Sequence, residues 1–196
     1  MADIKSAREI AMEKLKNLED ATEEERLRWK FVPKGEELAA RYLKEDCNLV
    51  SELSNYPENE RKYVAKGAGE IIVRNINLPR NDVAKKNNRK AMDGFKLLKN
   101  DKASVENVYS RIRQIFNHYL DQGQQQKQQA YESLKSQFEA KVQQAVQQQM
   151  GPMMRARVDV ERQPQFQEEW RRVLRQLDSQ YLQHLDEYKQ ELLALD

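Results

Sequence analysis

Near the C-terminus, Phe166, Trp170, Val173, Leu177, Tyr181, Leu185, Tyr188, Leu192 and Leu195 recur at steps of three or four residues. That spacing puts them on one side of a long amphipathic helix. Such a helix draws most of its stability from burying its apolar stripe, so a second helix must cover it. Residues 124–149 offer one, a glutamine-rich stretch with its own stripe of Tyr131, Leu134, Phe138, Val142 and Ala145. The two stripes can pair as an antiparallel hairpin within one chain or between two chains, and both arrangements satisfy the pattern.

The rest of the chain is also written for helices. Its 196 residues include only 6 Gly and 5 Pro, too few turn formers for a sandwich or barrel. A first helix is expected over residues 3–18. Thr22 followed by Glu25 reads as a capping box opening a short second helix with Leu27 and Trp29, ending before Pro33. A third helix would start near Gly35 and carry Leu38, Tyr42, Leu43, Val50 and Leu53. Pro57 opens a fourth, running to about residue 77, in which Gly67 and Gly69 allow a bend or the close approach of a neighbour. Asn81 or Asp82 begins the next, and Ser104 is a candidate cap for the one after it. The stretch DQGQQQKQQ, residues 121–129, holds no apolar residue, so it is either solvated helix or a kink at Gly123. Gly151-Pro152 breaks the pattern and Pro164 restarts it.

Charge is unevenly spread. Residues 1–60 hold 10 Lys and Arg against 15 Asp and Glu, whereas residues 61–102 hold 12 against 4. Arg74, Arg80, Lys85, Lys86, Arg89 and Lys90 concentrate the positive charge, with Lys96, Lys99 and Lys102 beyond. These six could track phosphates on RNA or DNA. Few aromatics accompany them for base stacking, and the acidic first 60 residues could neutralise them within one folded bundle. That internal complementarity is the favoured account.

No pattern for catalysis or cofactor binding emerges. His118 and His184 have no Cys or His at ligand spacing, and HExxH and CxxC are absent, so no metal is expected. Cys47 follows Glu45 and Asp46, which disfavour a thiolate, and is read as structural. Pairs such as Glu24 with Arg28 and Glu132 with Lys135 read as surface ion pairs. Gly67-Ala68-Gly69 lacks the third glycine and preceding strand of a dinucleotide fingerprint. The last helix mixes Arg171, Arg172, Arg175 and Lys189 with Glu168, Glu169, Asp178, Asp186 and Glu187 on its polar side. That mixture attracts anionic lipid weakly, which favours a partner helix over a membrane.

The expectation is an all-α protein: an N-terminal helical bundle over residues 1–104, then an extended, coiled-coil-like antiparallel hairpin over 105–196 with a break at about 150–164. Its lone cysteine and the lack of an apolar leader or spanning run suit the cytoplasm. The expected function is non-enzymatic assembly, with itself or another helical protein, without cofactor. Phe166, Trp170, Val173, Leu177, Tyr181, Leu185, Tyr188 and Leu192 would carry the contact. Nucleic-acid binding through residues 74–102 is the alternative.

Overall fold

The computed structural model describes residues 21–45, 47–150 and 159–195, so the helix expected over residues 3–18 and the Gly151-Pro152 break lie outside the described residues. Among the described residues all regular structure is helical, and the expected all-α class holds. No described helix is long and apolar enough to cross a membrane.

Helix α1 (Glu23–Lys44) opens on the expected capping box. The Glu25 amide donates to Thr22 Oγ1 at 3.3 Å and the Thr22 amide donates back to Glu25 Oε2 at 2.8 Å. The Thr22 amide foremost, and then the Thr22 hydroxyl, which donates to the same oxygen at 3.1 Å, hold the Glu25 carboxyl below its usual range. The helix does not stop at Pro33, as expected, but runs through it. An internal proline costs about 3 kcal/mol through a missing hydrogen bond and a ring clash. Here Phe31 on one side of it and Leu38 and Ala39 on the other are buried. At roughly 1.5–3 kcal/mol for each large side chain, that burial outweighs the proline. The helix expected to continue through Leu53 is instead divided. Asn48 Oδ1 accepts from the Ser51 amide at 3.1 Å and caps a separate short helix, α2 (Leu49–Ser54).

Pro57 precedes α3 (Glu58–Arg74), one uninterrupted helix. Asn81 caps α4 (Asp82–Leu98), its Oδ1 accepting from the Ala84 amide at 2.8 Å. Helix α5 (Lys102–His118) starts before Ser104, which lies inside it and is not its cap. A π turn (Tyr119–Gly123) then leads without interruption into α6 (Gln124–Met150). A short 3₁₀ turn (Val160–Arg162) precedes α7 (Pro164–Ala194), which begins at the expected proline.

These elements form two compact units. The first comprises the described residues through Ile76 together with Asn87–Lys102 and Leu195. Its core joins Phe31, Leu38, Leu49, Leu53, Val64, Ile72, Val73, Ile76 and Phe95. Helices α1 and α3 cross with their backbones in contact. A Cβ on Gly35 would stand 2.0 Å from the Val64 carbonyl oxygen, and one on Gly67 would stand 2.1 Å from that of Val32. Gly67 thus serves the close approach of a neighbour and not a bend. Tyr42 lies over Gly94 and donates its hydroxyl to the Lys90 carbonyl at 3.1 Å.

The second unit comprises Asn77–Lys86 and the described residues of Ala103–Ala194. Here α7 runs antiparallel to α5 and α6. Arg111 pairs with Glu191, Tyr119 meets Tyr181, Tyr131 meets Trp170, and Phe138 meets Phe166, so one number rises as the other falls. The stripes pair within one chain.

The glycine contacts generate a graded expectation. Alanine at a helix-interior glycine gains about 1 kcal/mol in propensity. At Gly35 and Gly67 the obstacle is backbone, so overpacking of about 3 kcal/mol or more should win and both alanine variants should lose stability in urea unfolding. At Gly69 the nearest atom is the Phe95 ring at 3.2 Å, which can shift. Gly69→Ala should remain within about 1 kcal/mol of the parent.

Candidate functional site

The apolar pattern of the hairpin lapses at one level, where the chain places charge inside the seam. Asp178 on α7 is buried, its side chain only 9% exposed, and two cations reach it. Lys127 of α6, itself 15% exposed at the side chain, brings Nζ to 2.9 Å from Asp178 Oδ1. Arg80, in the loop before α4, places Nη2 2.8 Å from Oδ2 and stays largely in solvent. Buried Leu78 and Pro79 anchor that loop. The Lys127 contact to Oδ1 is ionic without good hydrogen-bond alignment, so this oxygen is sealed from water with charge attraction as its compensation.

Lys127 also donates to Tyr119 Oη at 2.5 Å. Burial opposes its ammonium, but the hydrogen bond to Tyr119 and the attraction of the Asp178 carboxylate prevail and hold its pKa above the ordinary lysine value. Tyr119 is fully buried at the start of the π turn. Its ring meets Tyr181 edge-on at 5.1 Å, and Tyr181 Oη lies 3.0 Å from His118 Nδ1. Burial pushes the Tyr181 phenol up. Gly123, closing the π turn, lets both rings approach, since a Cβ there would stand 3.3 Å from each tyrosine. A π turn inserts one residue into the helical register and is common where a helix must re-aim its side chains. Gly123 therefore lies in an unbroken helix, and Lys127 turns the all-polar stretch inward.

Beside this cluster lies an open cleft of about 590 Å³. Arg80, Lys127, Arg175 and Asp178 give it a charged lining, and Leu174 and Leu182 an apolar one. Among the described residues no group of three His, Cys, Asp or Glu side chains could hold a metal ion.

The chain belongs to the DUF6657 family, a family of unknown function. The match spans residues 50–194, which takes in every residue of the cleft. No curated protein and no solved structure matches the chain.

Of the seam residues singled out in the sequence, Phe166, Leu185 and Leu192 are buried inside the hairpin, whereas Trp170, Val173, Leu177, Tyr181 and Tyr188 are half-buried. Tyr188 lies beneath the Arg111 guanidinium at 4.9 Å. The six basic candidates are dispersed in their roles. Arg80 joins Asp178, Lys85 pairs with Asp82 at 3.1 Å, and Lys90 donates to the Glu45 carbonyl at 3.0 Å. Arg74, Lys86 and Arg89 are exposed. Lys135 reaches Glu161 at 2.5 Å rather than Glu132, and with Tyr131 holds the Glu161 carboxyl below its usual range.

The sequence pattern groups Asp178 with the charges on the polar side of the last helix, whereas the structure buries it in the seam. Its spacing carried a signal: Asp178, Leu185 and Leu192 recur every seven residues. Lys127, likewise, continues the series of Tyr131, Leu134 and Phe138 backwards. Two opposite charges on facing stripes mark a polar layer.

Removing one partner of a buried pair strands the other, at about 3–5 kcal/mol, whereas replacing both with apolar groups is often neutral or stabilising. Asp178→Ala should therefore destabilise the second unit by that order. Combining Lys127→Met with Asp178→Leu should recover most of the loss. Arg80→Gln, at an exposed partner, should cost under about 1 kcal/mol. Urea unfolding of the parent, Asp178→Leu, Lys127→Met and their combination completes the cycle, and additive losses in the double variant would mean that the two groups are not coupled.

Proposed function

We propose that the protein is a non-enzymatic assembly or adaptor module that associates through its C-terminal helices, with a second copy of itself as the simplest partner. The supporting observation is incomplete cover of the seam. Two paired helices bury one side of each other, and Trp170, Val173 and Leu177, spaced i, i+3 and i+7 along one edge of α7, keep part of their surface in water. A second hairpin laid on that edge would form a four-helix arrangement and complete their burial. Phe166, Leu185 and Leu192 hold the hairpin itself, so the contact falls to the half-buried members, with Trp170 as the large anchor. Assignment to the reducing cytoplasm rests on the single cysteine, Cys47.

A second reading has its own support. On α4, Lys85, Lys86 and Arg89 are exposed while Asn88, Ala91, Met92 and Phe95 are buried, so the helix has a basic outer face suited to phosphates. Asp82 and Asp93 interrupt that face, which ranks it below assembly.

Light scattering on a sizing column should return a dimer mass at low and high salt. Val173→Glu with Leu177→Glu should give a monomer of unchanged helicity. A parent protein that is monomeric at every concentration would overturn the self-association reading. For the second reading, RNA or DNA affinity should fall steeply with salt and vanish on reversing Lys85, Lys86 and Arg89 to Glu. Absent or salt-insensitive binding removes it.

A further inference from the structure

We propose that the cleft beside Asp178 binds a small oxyanion, phosphate or carboxylate, that carries an apolar substituent. Its volume of about 590 Å³ is that of a small-molecule site. Its charge is unbalanced: Arg80, Lys127 and Arg175 line it against the single carboxylate of Asp178. The need to neutralise Asp178 accounts for Lys127, which is committed to that carboxylate and to Tyr119. It does not account for the rest. Arg80 uses one terminal nitrogen on Asp178 while its side chain remains 57% exposed, which leaves further N–H donors for a ligand. Arg175 is exposed and forms no ion pair among the described residues. Two guanidiniums on one cleft suit the planar, forked recognition of a carboxylate or phosphate.

The apolar side decides what the oxyanion is attached to. Leu174 lines the cleft, and Leu182 lines it with 41% of its surface exposed. A bare phosphate would engage the guanidiniums and leave Leu182 in water. An anion with a hydrocarbon or aromatic body would cover it.

The site is separate from the proposed association edge. At about 100° per residue, Arg175 and Val173 point roughly 200° apart around α7. Failure of one proposal is therefore distinguishable from failure of the other.

The test titrates the full chain by calorimetry with phenyl phosphate and with benzoate, using inorganic phosphate for comparison. At least one organic anion should saturate a single site per chain, about tenfold or more tighter than inorganic phosphate. Arg175→Ala should weaken it by about tenfold or more, the scale of one charge-assisted hydrogen bond. Leu182→Ser should bring its affinity down to that of inorganic phosphate. Both positions are exposed, and circular dichroism should show unchanged helicity. Whichever organic anion binds identifies the headgroup. Saturation by neither overturns the proposal, as does affinity unchanged in Arg175→Ala or equal affinity for inorganic phosphate. Binding to phosphatidic acid vesicles without binding to either small anion would overturn it in favour of a membrane surface.

Discussion

A carboxylate sealed inside a helical seam must be neutralised where it stands, and the second unit is organised around that requirement. Asp178 replaces an apolar side chain in the seven-residue series that continues with Leu185 and Leu192. Lys127 meets it from the facing helix and Arg80 from the loop before α4. A slip of one turn in the pairing would bury both charges among leucines and aromatics, at a cost of several kcal/mol. Apolar stripes alone tolerate such slips, because one leucine resembles the next. The ion pair therefore favours the register in which Tyr131 meets Trp170 and Phe138 meets Phe166. The π turn belongs to the same device, since it carries Tyr119, the hydroxyl that shares Lys127 with Asp178.

The first unit rests on a different constraint, the contact of two backbones. Gly35 and Gly67 sit where α1 and α3 leave no room for a side chain. Close crossing brings Phe31, Leu38 and Val64 into one core and supplies the burial that carries α1 through Pro33. Local rules disfavour helix at that proline, and tertiary packing overrides them because the buried area on either side is larger than the penalty.

The functional readings draw on separate surfaces. The proposed assembly would use the edge of α7 that two helices cannot cover, and the proposed anion site lies on the opposite flank, where guanidiniums exceed carboxylates. The family to which the chain belongs spans most of it and has no known function. The site chemistry therefore has to come from these residues themselves.

Periodicity in the sequence determined the all-α class, the long C-terminal stripe and the capping signals at Thr22 and Pro164, because each depends on neighbours three or four residues away. It also singled out Gly67 for a bend or a close approach, without deciding between them. The candidate site was only partly legible. The pattern shows Arg80 as basic and Arg175 as a face charge, but it places Asp178 on the polar side of its helix and leaves Lys127 in a stretch that is either solvated helix or a kink. Charge identity is local, whereas burial depends on what a facing helix presents from some fifty residues away. Only the tertiary structure decided that the stripes close within one chain, that α1 survives its proline, and that Asn77–Lys86 packs with the C-terminal helices. Each of these turns on a balance between a local preference and the free energy of long-range burial, and that second term appears only when the chain is folded.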